Sequence, residues 1–207
     1  MMWLISLAAA APECPPLVPE SERPPKVASF NAELDASAPS VTELAAVVLD
    51  ADSYPVDVQL GIWGLGFPAL AYSKVLGTCD ANGVSSTLVH QVTGSPGFVA
   101  ARQYVFRMWV ESDALGGVFV HWAQVEVPES GAWRGPITDA LSAHPDAVLT
   151  GYNAGFWWYD GRHLRYEVAS TPGGKVPPWL AGMLRPQAVI YPSEVVRRRW
   201  GATLSAR

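Results

Sequence analysis

The sequence predicts an α+β fold, an antiparallel sheet with one helix before it and one after it. Three observations lead there. Dipeptides suited to tight turns, Asn82-Gly83, Gly116-Gly117 and Asp160-Gly161, each sit between two runs rich in Val, Thr and aromatic residues, the signature of β-hairpins. Ser40-Val41-Thr42-Glu43 is a capping box, in which the serine side chain accepts from an early helical N–H and the glutamate reaches back to the serine backbone. Leu164–Leu184 reads as strand, turn and helix in succession. Leu164, Tyr166 and Val168 alternate with Arg165, Glu167 and Ala169, the period of a sheet with one apolar face. Thr171-Pro172-Gly173-Gly174 ends that strand, because proline cannot donate to a ladder and the glycines free the backbone. Pro177 and Pro178 suit a helix entrance, and Leu180, Met183 and Leu184 then make an apolar stripe.

In chain order, the capping box opens a helix over Val41–Leu49, and a short turn follows around Ser53-Tyr54-Pro55. Tyr72–Thr78 pairs with Val84–Val92, Tyr104–Glu111 with Val118–Val127, and Phe156–Tyr159 with His163–Ala169. Thr138–His144 reads as a short surface helix. This gives about six strands, with no internal repeat. Residues 1–27 are expected to lie outside the folded domain, which would occupy 28–207. Met2–Ala11 is an apolar run too short to span a bilayer but suited to a secretory signal, although no Lys or Arg precedes it. Residues 12–27 carry six prolines and three acidic residues, the composition of a tether. Removal of residues 1–26 is expected to cost less than about 1 kcal/mol. Export to a periplasmic or extracellular space would permit a disulfide between Cys14 and Cys79, a pairing the sequence leaves open.

Charged residues make up only 16% of the 207-residue chain, while apolar residues reach 49% and tryptophans number nine. A thick core or an apolar internal cavity would absorb that surplus. The net charge of -5 argues against nucleic acid, which wants a basic footprint. The run Arg197–Arg199 reads first as a solvated helix end favoured by the helix dipole.

The stretch Thr171-Pro172-Gly173-Gly174-Lys175-Val176-Pro177-Pro178-Trp179-Leu180 resembles the turn through which START (StAR-related lipid-transfer) domains enter their long C-terminal helix. Arg102-Gln103-Tyr104-Val105 is similar to the opening of one of that family's strands. Thr171 and Gln103 stand where the family commonly has acidic residues or, at the first position, asparagine. The resemblance covers roughly residues 40–200 and implies a helix-grip fold, a curved antiparallel sheet wrapped around the last helix, with an apolar cavity between them. It implies as partner a lipid-like hydrophobic molecule, bound, transferred or sensed, with transient membrane contact during exchange. A monomer is expected.

Chemistry sought elsewhere is not found. There is no G-x-S-x-G elbow, the four histidines lack metal-ligand spacing, and Gly173-Gly174-Lys175 is followed by Val176 where a phosphate loop needs Ser or Thr. No metal or other cofactor is expected. Cys79 falls in an expected exposed turn, as a surface thiol or half of a disulfide. His144 and His163 read as surface residues, while His90 and His121 sit in strands. The candidate ligand-binding residues are Phe106, Arg107, Met108, Trp109, His121, Trp157, Tyr166, Trp179, Leu180, Met183 and Leu184. Phe106, Met108 and Val110 share one strand face and Arg107, Trp109 and Glu111 the other, and alternation alone leaves open which looks inward. A non-enzymatic carrier or sensor is the first reading. The alternative is a cyclase- or hydrolase-like enzyme acting on a hydrophobic substrate, with His121, Arg107 or Tyr166 as acid–base groups.

Overall fold

The computed structural model describes residues 10–24, 27–34, 39–49, 70–94, 99–174, 176 and 187–206. Its strands are β1 (Ala28–Glu33), β2 (Leu70–Ala81), β3 (Val84–Thr93), β4 (Arg102–Ser112), β5 (Val118–Gln124), β6 (Val148–Leu149), β7 (Tyr152–Tyr159), β8 (His163–Thr171) and β9 (Thr203–Ala206). The helices are α1 (Val41–Leu49), α2 (Arg134–Ser142) and α3 (Gln187–Trp200). The strands form one sheet in the order β2-β3-β4-β5-β7-β8-β1-β9, with β6 alongside β4.

The three expected hairpins are present. Asn82 and Gly83 adopt φ of 55° and 83°, the left-handed pair a two-residue hairpin turn demands. Around α1 the capping box is formed: the Glu43 backbone N–H donates to Ser40 Oγ at 3.2 Å, and the Ser40 N–H donates to the Glu43 carboxylate at 2.7 Å. Strands β1 and β9, which the sequence reading did not resolve, extend the meander, β1 pairing with β8 on one side and with β9 on the other.

The proline-rich leader departs from expectation. Residues 12–18 are hydrogen-bonded to the sheet: Cys14 N–H donates to Asp80 O and Asp80 N–H to Pro12 O, then Val18 N–H donates to Gln124 O and Glu126 N–H to Pro16 O. Cys14 and Cys79 form a disulfide. Cys79, expected in an exposed turn, is instead buried inside β2. Further on, Tyr152 Oη donates to Glu20 and Arg23 to Glu167. Proline has no N–H but keeps its carbonyl. Alternating Pro12 and Pro16 with Cys14 and Val18 therefore leaves acceptors and donors where strand ends need them.

The sheet has two differently covered faces. Its inner face carries Phe30, Phe106, Met108, Val120, Trp122, Trp157, Leu164 and Tyr166, packed with Leu44, Val47 and Val48 of α1 and Val195, Val196 and Trp200 of α3. On the outer face α2 covers a second cluster, Cys79, Leu88, Val105, Val125, Trp133 and Ile137, joined by Cys14 and Leu17. Gly155 permits the inner packing, because a Cβ there would overlap the Glu167 carbonyl and the Trp122 ring. Gly155→Ala is therefore expected to lower stability by about 1–3 kcal/mol, read as a shift of the denaturant midpoint at unchanged m-value.

Candidate functional site: the inner face of the sheet

The inner face is built by register. Val110, Val120, Trp157, Tyr166 and Phe30 lie opposite one another across five strands. Their rings interlock: Trp157 and Tyr166 centroids are 4.6 Å apart, Phe30 stacks on Tyr166 at 5.3 Å, and Trp122 stacks on Tyr166 at 5.6 Å. Among the described residues no Asp, Glu, Lys or Arg is buried. The polar atoms on this face are uncharged. Gln91 donates to Val48 O and Ser73 Oγ and accepts from Tyr104 Oη, while Trp122 Nε1 donates to Asn153 at 3.1 Å. Such a surface interacts by apolar burial and aromatic packing, with a few neutral groups to set orientation.

Of the candidate residues, Phe106, Met108, Trp157 and Tyr166 are brought together and buried here. Trp179, Leu180, Met183 and Leu184 lie outside the described residues, as do the turn at Ser53-Tyr54-Pro55 and the signal-like residues 1–9. Arg107, Trp109 and His121 lie on the opposite face, since Trp109 pairs with His121, one position out of phase with the row above. There the Arg107 guanidinium sits 4.5 Å from the Trp109 ring centroid, and His121 is sandwiched between Trp109 and Phe119 at 5.1 Å from each. Glu111 accepts from Trp109 Nε1 at 3.0 Å and stands 3.3 Å from His121 Nε2. Burial lowers the pKa of His121, opposed by the Glu111 carboxylate. The same outer face holds an open groove of about 460 Å³ beside Phe119, Phe156, Trp158 and Arg165. Tyr166 is thus separated from Arg107 and His121 by the sheet itself, so these three do not converge on one reacting atom. Among the described residues no group of three or more His, Cys, Asp or Glu is placed to hold a metal.

Residues the sequence reading missed include the neutral side chains of this face, Gln91 and Gln124. Both are buried, and Gln124 donates to Thr150 O at 2.8 Å. Their place on this face follows from register alone, Gln91 lying opposite Tyr104 across β3 and β4 and Gln124 opposite Phe106 across β4 and β5.

No protein-family model matches the chain, and no curated protein matches its sequence. Solved structures match its fold. A STAR-related lipid transfer protein fragment from Xanthomonas axonopodis superposes with a TM-score of 0.53 at 19% identity, over 84% of this chain and 85% of that one. Human STARD10 gives 0.51 at 12% identity, over 83% of this chain and 64% of that one. The lipid transfer and protein localization domain of human StarD13 gives 0.51 at 14%, over 81% and 72%. The domain is therefore an α+β helix-grip structure. Its fold is that of the StAR-related lipid-transfer domains.

Proposed function

We propose that the protein is an exported carrier or sensor that binds a lipid-like hydrophobic molecule between the inner face of the sheet and the last helix. The observation that carries this is the inner face itself: aromatic and aliphatic side chains across five strands, neutral polar groups, and no buried charge among the described residues. The fold shared with proteins described as lipid transfer domains supports it. Affinity comes from hydrocarbon burial, about 25 cal/mol per Å² of apolar surface. The disulfide is compatible with an oxidising compartment. A monomer and brief membrane contact during ligand exchange complete the reading.

Native mass spectrometry of protein purified from its own host tests it, with uptake of fluorescent lipids as the second arm. A co-purifying apolar ligand, or saturable uptake, is the expected result. Repeated absence of both contradicts the reading. Tyr166 faces away from His121 and Arg107, which lie on the outer face, across the sheet from the proposed ligand. His121→Ala is therefore expected to leave lipid uptake within about twofold of wild type, a change worth under about 0.5 kcal/mol. A large loss in that variant would move the ligand to the outer face.

A further inference from the structure

His90 is fully buried in β3 on the outer side of the sheet. Its Nε2 lies 3.1 Å from Gln103 Oε1. The Gln103 amide is oriented by its own Nε2, which donates to His144 O at 3.1 Å and Ala147 O at 2.9 Å. Since Oε1 can only accept, Nε2 of His90 must carry the proton, and Nδ1 is left as a bare lone pair. That atom is buried and has no partner. The groups facing the ring are Tyr72 and Lys74 from β2, the uncharged Gln103 from β4, and His144 from the turn after α2, with ring centroids 5.5 Å to Tyr72 and 5.4 Å to His144. None of them is a carboxylate, and Lys74 is positively charged. A second proton on His90 would therefore create a buried cation with an unanswered donor.

The same network supports the turn that leads toward the last helix. Val148 N–H donates to Ala101 O and Thr150 N–H to Gln103 O. Gly173, at φ 64°, packs so closely on Leu149, Thr150 and Gly151 that a Cβ would overlap them. Gly151 N–H donates to Thr171 O, and Arg102 Nε donates to Pro172 O at 2.5 Å. Loosening residues 144–151 would thus unseat Thr171–Gly174.

We propose that His90, Gln103 and His144 form an acid-sensitive latch: neutral His90 holds residues 144–151 and the Thr171–Gly174 turn to the sheet, and protonation at Nδ1 releases them. Burial, opposed by the Gln103 hydrogen bond and aided by His144 and Lys74, keeps the His90 pKa below its ordinary 6.5. The opened state binds the proton more readily, so protection is complete above that value and falls as pH drops through it. In the carrier reading, on which this consequence rests, acidification favours ligand release.

Hydrogen exchange of the full chain, corrected for intrinsic rates, tests the latch without any ligand. Between about pH 7.5 and about pH 5, segments 144–151 and 171–174 are expected to lose up to about 30-fold in protection, the ratio of imidazolium to neutral imidazole for an ordinary histidine at the lower pH. Strand β1, across the sheet, is expected to keep its protection. His90→Gln retains a donor for Gln103 and removes the titration, so its response is expected to vanish. Equal protection of the wild type at both pH values, or an undiminished acid response in His90→Gln, overturns the latch. Should His90→Gln fail to fold, nitrogen-15 spectra of wild-type histidines decide: His90 must be the Nε2–H tautomer and titrate below the ordinary imidazole value, and an Nδ1–H tautomer or ordinary titration refutes the proposal. An intact exchange response with no lipid uptake at either pH would count against the carrier reading alone, while uptake without acid-driven loss would count against the release consequence alone.

Discussion

Removing residues 1–24 is expected to destabilise the domain by several kcal/mol. The Cys14–Cys79 disulfide joins positions 65 residues apart, and in the chain-entropy account a loop of that length stabilises by about 4 kcal/mol relative to the open chain. Deletion also strips the partners from the Asp80 and Glu126 N–H groups, and uncovers Val125 and the outer cluster beneath Leu17. Cys14→Ser separates the two contributions, since it cuts the covalent link and leaves the backbone pairing in place. Denaturant unfolding under non-reducing conditions measures both, and the single substitution should account for more than half of the loss. A change within about 1 kcal/mol on deletion, the behaviour of a free terminus, would contradict the docked arrangement.

Val196→Asp is expected to be far more damaging than Arg198→Asp, although both lie on α3. Val196 is fully buried against the inner face, so a carboxylate there loses its hydration and finds no cation. The cost is several kcal/mol, or α3 leaves the sheet. Arg198 is exposed and pairs with Glu194, whose carboxyl Arg197 and Arg198 together hold at about 2. An exposed pair of this kind contributes about 0–1 kcal/mol, and Arg197 still holds Glu194 after the change. Circular-dichroism melts of the two variants give the comparison. Similar melting temperatures would mean that α3 does not grip the sheet.

Local chemistry made much of this fold readable. Asn82-Gly83 and Ser40–Glu43 act within a few residues of themselves, so turn and cap could be placed without knowledge of the rest. Strand β8 was equally plain, because only one of its faces carries large apolar residues. The faces of β4 were ambiguous for a physical reason: Trp109 and Arg107 stack on each other outside while Phe106 and Met108 fill the core, so both faces bear bulky side chains. Phe156-Trp157-Trp158 hides its alternation in the same way, with Trp157 inside and its neighbours in the outer groove. The leader was misread because composition speaks to the freedom of an isolated chain. Docking depended on a cysteine pairing and on the carbonyls of prolines, neither of which leaves a periodic pattern. His90 and Gln103 could not be joined before β3 and β4 were in register, where His90 faces Val105 and Gln103 faces Val92.

Photocrosslinking places the ligand most directly. Protein loaded with a diazirine-bearing long-chain lipid, irradiated and mapped by peptide mass spectrometry, should carry its label on inner-face residues such as Met108, Trp122, Trp157 and Tyr166, with competition by unlabelled lipid. Label confined to Trp109, Phe119, His121 or Trp158 would place the hydrophobic ligand on the outer face and contradict the account.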